Sequence, residues 1–318
     1  MTVARFHVRH DTTYDYAYPV SESHHLLRLT PRALPWQTCL EHHIEIDPAP
    51  DLRRAFTDSF GNQITSVQYI RDHTYLNVNS ECWVDLAPRP QPTAAIALQS
   101  WETVRDTLRY QAGRPLAEAL LQATAFRFPS RNIPVGDSYR AYALPSFAAG
   151  RPLTEACHEL MLRIQKEFIF DNEATDTFTP VSDVLAQRRG VCQDFTHLMI
   201  ACLRSLGLAA RYTSGYLLTH PPKGQARLVG ADATHAWVGV FLPGFGWLEF
   251  DPTNGICPNQ AHITLGWGRD FSDITPLRGV LLGGGEHQLD IAVTVVPEEE
   301  FAQVYVEGDT YLPALPGL

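Results

Sequence analysis

The chain of 318 residues has no run of about 18 apolar residues, so no segment is expected to cross a membrane as a helix. Its start, MTVARFHVRHDTTYDY, lacks both an apolar stretch and a small-residue cleavage pattern, which argues against a secretory leader. A basic excess is missing too. The formal net charge is −10, whereas nucleic acid or an anionic membrane surface calls for a basic face. There is no CxxC pair. Cys39, Cys82, Cys157, Cys192, Cys202 and Cys257 are widely scattered, which reads as reduced thiols in a cytoplasmic protein rather than a disulfide framework. Nor is there a phosphate-binding glycine loop, because LLGGGEHQ (281–288) lacks the Lys-Ser/Thr ending and no helical pattern follows it. Internal repeats and low-complexity tracts are also absent.

What remains is an ordinary globular composition, 45% hydrophobic and 19% charged, long enough for two or three domains. Residues 1–95 read as β-rich: HHIEI (42–46) and TSVQYI (65–70) alternate like strands, and DPAPD and DSFGN punctuate them. The Pro-rich APRPQP (87–92) marks a boundary. Residues 96–150 read as a helical connector, with SWETVRDTLRY opening on a Ser-x-x-Thr start and PLAEALLQATAF on a proline. From 151 to 297 helices give way to strand-like runs at 209–218, 235–241, 245–251 and 289–296. Helix followed by antiparallel strands is an α+β pattern, not the βαβ alternation of nucleotide-binding folds. The tail, 298–318, is acidic and then Pro/Leu-rich, and carries no assignment.

The chemistry concentrates around RRGVCQDFTHLMIACLRSLG (188–207). Phe195, Leu198, Met199, Cys202 and Leu206 recur at steps of three and four, tracing one helical face that ends at Gly207. Cys192 sits where that helix begins. Ser, Thr, Asp or Asn would cap better there, but the positive end of a helix favours a negative sulfur. A thiol nucleophile needs a base, and the base needs an acceptor to orient it. Cys192, His235 and Asp251 can fill these roles. A three-residue loop Leu242-Pro243-Gly244 would pair 241 with 245 and set His235 directly opposite Asp251, with Cβ atoms about 4.5–5.5 Å apart.

The stretches around GVCQDF, THAWVGVFLPGFGWLEFDPTN and GRDFSDITPLRGV resemble the bacterial branch of the transglutaminase-like superfamily, relatives of papain-type cysteine proteases. YDYAYPVSESHHLLRLTPR and DSFGNQ resemble the β-rich module preceding that core. The resemblance implies an N-terminal β-sandwich-like domain, a helical connector, and a papain/transglutaminase-like core with a catalytic helix on an antiparallel sheet. It also implies Cys192 as nucleophile, His235 as base and Asp251 as orienter. The expected activity is thiol-dependent acyl transfer on a peptide or protein amide, by hydrolysis of a peptide or isopeptide bond. Cross-linking transamidation and a non-catalytic scaffold are the alternatives. The Cys192 backbone N–H can serve an oxyanion; Gln193 and Tyr212 are candidate second donors, and Trp237 a candidate cleft residue.

No metal or organic cofactor is expected, since the three groups supply nucleophile, base and orienter. Zinc on Cys192, His197, Cys202 and His235 suffers from spacing: five residues turn His197 about 140° off the Cys192 face. His24-His25 and His42-His43 are strand neighbours and so point to opposite faces. Asp194 reads equally as a turn-holding or a solvent-facing acid. Arg269 and Asp270 read as a structural pair.

Overall fold

The computed structural model describes residues 3–109, 112–113, 117–176, 179–219, 229–230, 232, 234–305 and 309–312. Strands β1 (Ala4–Leu27), β2 (Gln37–Asp47), β3 (Leu52–Thr57), β4 (Gln63–Tyr69) and β5 (His73–Leu86) come first. They form an antiparallel sheet in the order β2-β5-β1-β4-β3. The 24-residue β1 organises it. Its first half pairs with β5; its second half, past an irregularity between Asp15 and Val20, pairs with β4. Alternation places Val8, His10 and Thr12 among the buried residues of this strand.

Short helices follow: α1 (Ala94–Ala97), α2 (Trp101–Thr107), α3 (Glu118–Thr124) and α4 (Asp137–Ala143). The Ser-x-x-Thr start of α2 works as a cap, with Ser100 Oγ accepting from Thr103 N at 3.3 Å. Pro115, read as opening α3, lies outside the described residues. Then come α5 (Leu153–Glu167), β6 (Ile169–Phe170), α6 (Val181–Gln187), β7 (Arg189–Gly190) and α7 (Cys192–Ser205). Both long helices bury the stripe that their spacing defines: Leu153, Ala156, Leu160 and Ile164 on α5, and Phe195, Leu198, Met199 and Cys202 on α7. Each fully buried Leu contributes about 1.5–3 kcal/mol.

A second antiparallel sheet, β10-β9-β8-β11, is built from β8 (Ala210–Leu217), β9 (Thr234–Leu242), β10 (Gly246–Phe250) and β11 (His262–Gly268). Helix α7 packs on it through Tyr212, Ala236, Val238 and Val240. Phe6, Val8, Val84 and Val295 of the first sheet cluster with its Tyr216, Ile263 and Leu265. The core sheet is thus held between helix and sheet, an α+β arrangement.

After α8 (Phe271–Ile274), strands β12 (Leu277–Gly283) and β13 (His287–Pro297) leave this unit. Both pair antiparallel with β1. The run 289–296 is a strand as its pattern predicts, but its partner is the first strand of the chain. The last helix, α9 (Phe301–Val304), buries Phe301 against Trp83 and Val296. Arg269 pairs with Asp273, at 2.9 Å, rather than with Asp270. Asp270 instead caps α8, accepting from Ser272 N at 2.8 Å. Among the described residues, no helix is long and apolar enough to cross a membrane.

Candidate active site

Cys192 is the first residue of α7 and is half-buried. The turn before it is tightly built. Arg188 ends α6 in the left-handed region, with φ 57°. Residues 189–190 pair with 169–170 as a short parallel bridge. Asp194, at the third helical position, reaches back and accepts from Val191 N at 2.8 Å and from Thr175 Oγ1 at 2.6 Å. It is buried and holds the turn, which decides between its two sequence readings. Burial raises its carboxyl above the ordinary range, although those two hydrogen bonds oppose the shift. Gly190 is needed beneath it: φ is 158°, and a Cβ there would lie 2.6 Å from Asp194 Oδ2.

His235 enters from β9 and Asp251 follows β10. The hairpin between them is two residues out of the expected register. Gly246 pairs with Leu242 and Phe250 with Val238, so Asp251 stands beyond the ladder instead of opposite His235. Pro243-Gly244 forms the turn, with Phe245 N bonding Leu242 O at 3.0 Å and Gly244 at φ 85°. A slip of one residue would have turned Asp251 to the other face. A slip of two keeps it on the His235 face as a diagonal neighbour, and the side chains still meet. His235 Nε2 donates to Asp251 Oδ2 at 2.8 Å. The Cys192 side chain is near enough to favour the charged imidazole, so His235 lies between thiol and carboxylate.

Two further side chains join here that sequence reasoning missed. His262 of β11, fully buried, lies with Nε2 3.2 Å from Asp251 Oδ2. Its Nδ1 accepts from Asn259 N at 3.4 Å, which leaves the proton on Nε2 facing Asp251. Asn254 Nδ2 donates to the same oxygen at 2.7 Å, and the backbone N–H groups of Thr253 and Asn254 donate to Oδ1. Asn254 was legible within the DPTN motif; His262 carries no local signal. Burial alone would raise the Asp251 carboxyl, but bonds from His235, His262 and Asn254 outweigh it and hold the group well below the carboxylate range. Burial works against the His235 imidazolium as well, yet Asp251 and Cys192 outweigh it and raise it to about 10. Burial lowers His262 and keeps it neutral.

Two family descriptions match the sequence: the bacterial transglutaminase-like N-terminal region over residues 6–85, and the transglutaminase-like superfamily over residues 140–252. An uncharacterized protein of Mycobacterium tuberculosis is 41% identical over 302 residues, 93% of either chain. The chain belongs to the transglutaminase-like superfamily. A solved structure from Cytophaga hutchinsonii, named a "Putative Cysteine Protease", shares the fold with a TM-score of 0.72 at 19% identity, covering 93% of this chain and 91% of that one. A protein-glutamine gamma-glutamyltransferase of Pseudomonas aeruginosa is 36% identical over 79 residues, 24% of this chain and 12% of that protein.

Within this transglutaminase-like core, the other residues named from the sequence separate. Tyr212 is buried on β8, near enough to Cys192 to feel its charge. Burial raises its phenol far above the ordinary value, with Cys192 adding to the effect. Gln193, next to Cys192 on α7, is half-buried. Trp237 is fully buried, with no surface on an open cleft. It lies edge-on to His262 at 5.3 Å between ring centres and 6.0 Å from His235, supporting the imidazoles from below. The four residues weighed for zinc do not gather: Cys202 is core, and His197 Nε2 accepts from Phe271 N at 3.2 Å. Among the described residues, the group with metal-ligand spacing is His235, Asp251 and His262, the same three that hydrogen-bond one another.

Proposed function

We propose that the protein is a thiol-dependent acyl-transfer enzyme acting on peptide or protein amides, with Cys192 as nucleophile, His235 as base and Asp251 as orienter. The observation that carries this reading is the position of His235, bonded to Asp251 at 2.8 Å and near enough to the Cys192 side chain for the sulfur to favour the imidazolium. An imidazolium kept protonated to about 10 is the natural counter-ion of a thiolate.

The steps follow from these positions. The sulfur attacks the amide carbonyl carbon, and the oxyanion faces the Cys192 backbone N–H, one of the free donors at the start of α7. Gln193 is the candidate for the second donor. His235 gives its proton to the departing amine, leaving a thioester on Cys192. Water then attacks, with His235 taking its proton, and the acid leaves. Hydrolysis is preferred because water needs no second binding site. Transamidation is the second reading, favoured by the similarity to the Pseudomonas aeruginosa gamma-glutamyltransferase over 79 residues. Six free thiols suit a reducing compartment, and the cytoplasm is the proposed location.

The test is turnover of a panel of peptide amides, with and without an added amine. Free acid released without amine supports hydrolysis, and product only with amine supports transamidation. If neither forms, and Cys192 is alkylated no faster than exposed Cys257, the enzyme reading fails and a scaffold remains.

A further inference from the structure

A cavity of about 980 Å³ opens where the first sheet's loops, α3 and the β9–β10 hairpin meet. Arg32, Trp36, Phe60, Arg211, Trp247 and Trp267 are among its walls, and none of Cys192, His235 and Asp251 belongs to it. We propose that it binds a carboxylate carried on a planar apolar group, such as a peptide or small molecule ending in an aromatic acid.

The charges in its wall lack full partners. The guanidinium carbons of Arg32 and Arg211 each lie 3.6 Å from the ring centre of Trp267, so one indole serves two cations. Arg211 is also 4.4 Å from the Trp247 ring centre. Arg211 is 3% exposed, and its Nε has no hydrogen-bond partner. Its counter-charge is Glu249, 3.5 Å away, which also bonds Arg89 and so divides one carboxylate between two guanidiniums. Arg32 donates to a neutral group, Asn62 Oδ1, at 2.8 Å. The nearby Asp58 carboxylate is occupied by Phe60 N, Asn62 N and Asn62 Nδ2. Burial lowers Arg32 to about 10 and Arg211 to about 9, the direction expected for cations held close together away from water.

The wall carries two guanidiniums, Arg32 and Arg211, against one carboxylate, Asp58, within an aromatic lining, in a chain of net charge −10. Guanidinium forks match a carboxylate, and the remaining aromatic lining, Trp36, Phe60 and Trp247, matches a planar apolar body. The volume suits a drug-sized ligand. Glu249 ties this wall to the catalytic cluster, because Arg89 donates to the His262 carbonyl at 2.9 Å as well as to Glu249.

The probe is N-acetylphenylalanine, with N-acetylphenylalaninamide as its uncharged twin, titrated into the whole protein by calorimetry and tryptophan fluorescence. Saturable binding of the acid, with the amide about tenfold or more weaker, is expected from one charge-assisted contact. Arg32→Met should weaken the acid about tenfold. Gln122→Trp, on the exposed rim, should block entry without touching the buried charges. Cys192→Ala should bind like the wild type, which keeps this inference separable from the catalytic one. Equal binding of acid and amide, undiminished binding in folded Arg32→Met or Gln122→Trp, or no binding of the acid would overturn it.

Discussion

His235 and Asp251 are bonded side chain to side chain at 2.8 Å although their backbones do not face each other across the hairpin. The contact is diagonal, with Asp251 placed just past the last ladder pair, Phe250 with Val238. There the chain leaves the strand and turns, so the Thr253 and Asn254 N–H groups curl back onto the Asp251 carboxylate. A directly opposed aspartate inside the ladder could not receive those bonds. The offset gives the Asp251 carboxylate its own anion-binding turn.

Asp251→Asn should retain the fold and cut turnover by roughly 10–10³, less than the ~10⁴ known for a serine triad, because a thiol leans less on its base. Asn can accept the His235 bond but lacks the charge that holds the imidazolium. Alkylation of Cys192 should therefore be slower in the variant. Unchanged turnover and alkylation rates would mean that Asp251 is only a structural residue and that another acceptor orients His235.

His262→Leu removes a buried donor to a charged acceptor at similar volume. The expected loss is about 1.5–3 kcal/mol of stability, the range for hydrogen bonds to charged groups. Denaturant unfolding of both proteins measures it. A loss below about 0.5 kcal/mol, the range of ordinary surface substitutions, would show that Asp251 does not depend on His262.

Gly190→Ala should destabilise by about 1–3 kcal/mol, the cost of a residue forced into sparsely allowed backbone. The added Cβ also meets Asp194 Oδ2 at 2.6 Å, so the turn must shift. Slower alkylation of Cys192 in the folded variant would accompany the lower melting temperature. A melting temperature equal to the wild type would contradict the role given to the turn.

Stability should fall in acid before the carboxylates titrate. Burial lowers His10, His25 and His42 to about 4, and lowers His197 and His262 as well. Unfolded, each would titrate near about 6.5. Between those values the unfolded chain binds more protons, so stability rises with pH and is lost as pH falls through the window. His235 acts in the opposite sense. Raised to about 10, it contributes stability that is fully present below about 6.5 and is lost as pH rises toward 10. Thermal melts should therefore drop from about pH 7 to about pH 4.5. A flat melting temperature over that range would show that the buried imidazoles stay solvated.

Local signals carried far in this sequence. The stripe from Phe195 to Leu206 defined α7, and a cysteine at its start pointed to the site, although the cap position is Val191 and Cys192 is the first helical residue. Pairing was less legible, because alternation tells a strand which face is buried but not which strand lies beside it. Hence the run 289–296 was readable as a strand while its partner, β1, some 280 residues earlier, was not. The hairpin register failed for a related reason: a two-residue shift leaves the hydrophobic pattern unchanged. His262 reaches Asp251 only through the closing of β11 against β8, and nothing in AHITL announces it.

The central claim rests on Cys192 forming a covalent acyl intermediate. Intact-mass analysis of the protein, mixed with peptide amides and quenched in acid, tests it most directly. The account predicts an increment equal to the acyl group, mapped to Cys192, discharged by water or an added amine and absent from Cys192→Ala. An adduct on Cys257 instead, or none on folded wild-type protein across a panel from which it releases product, would contradict it.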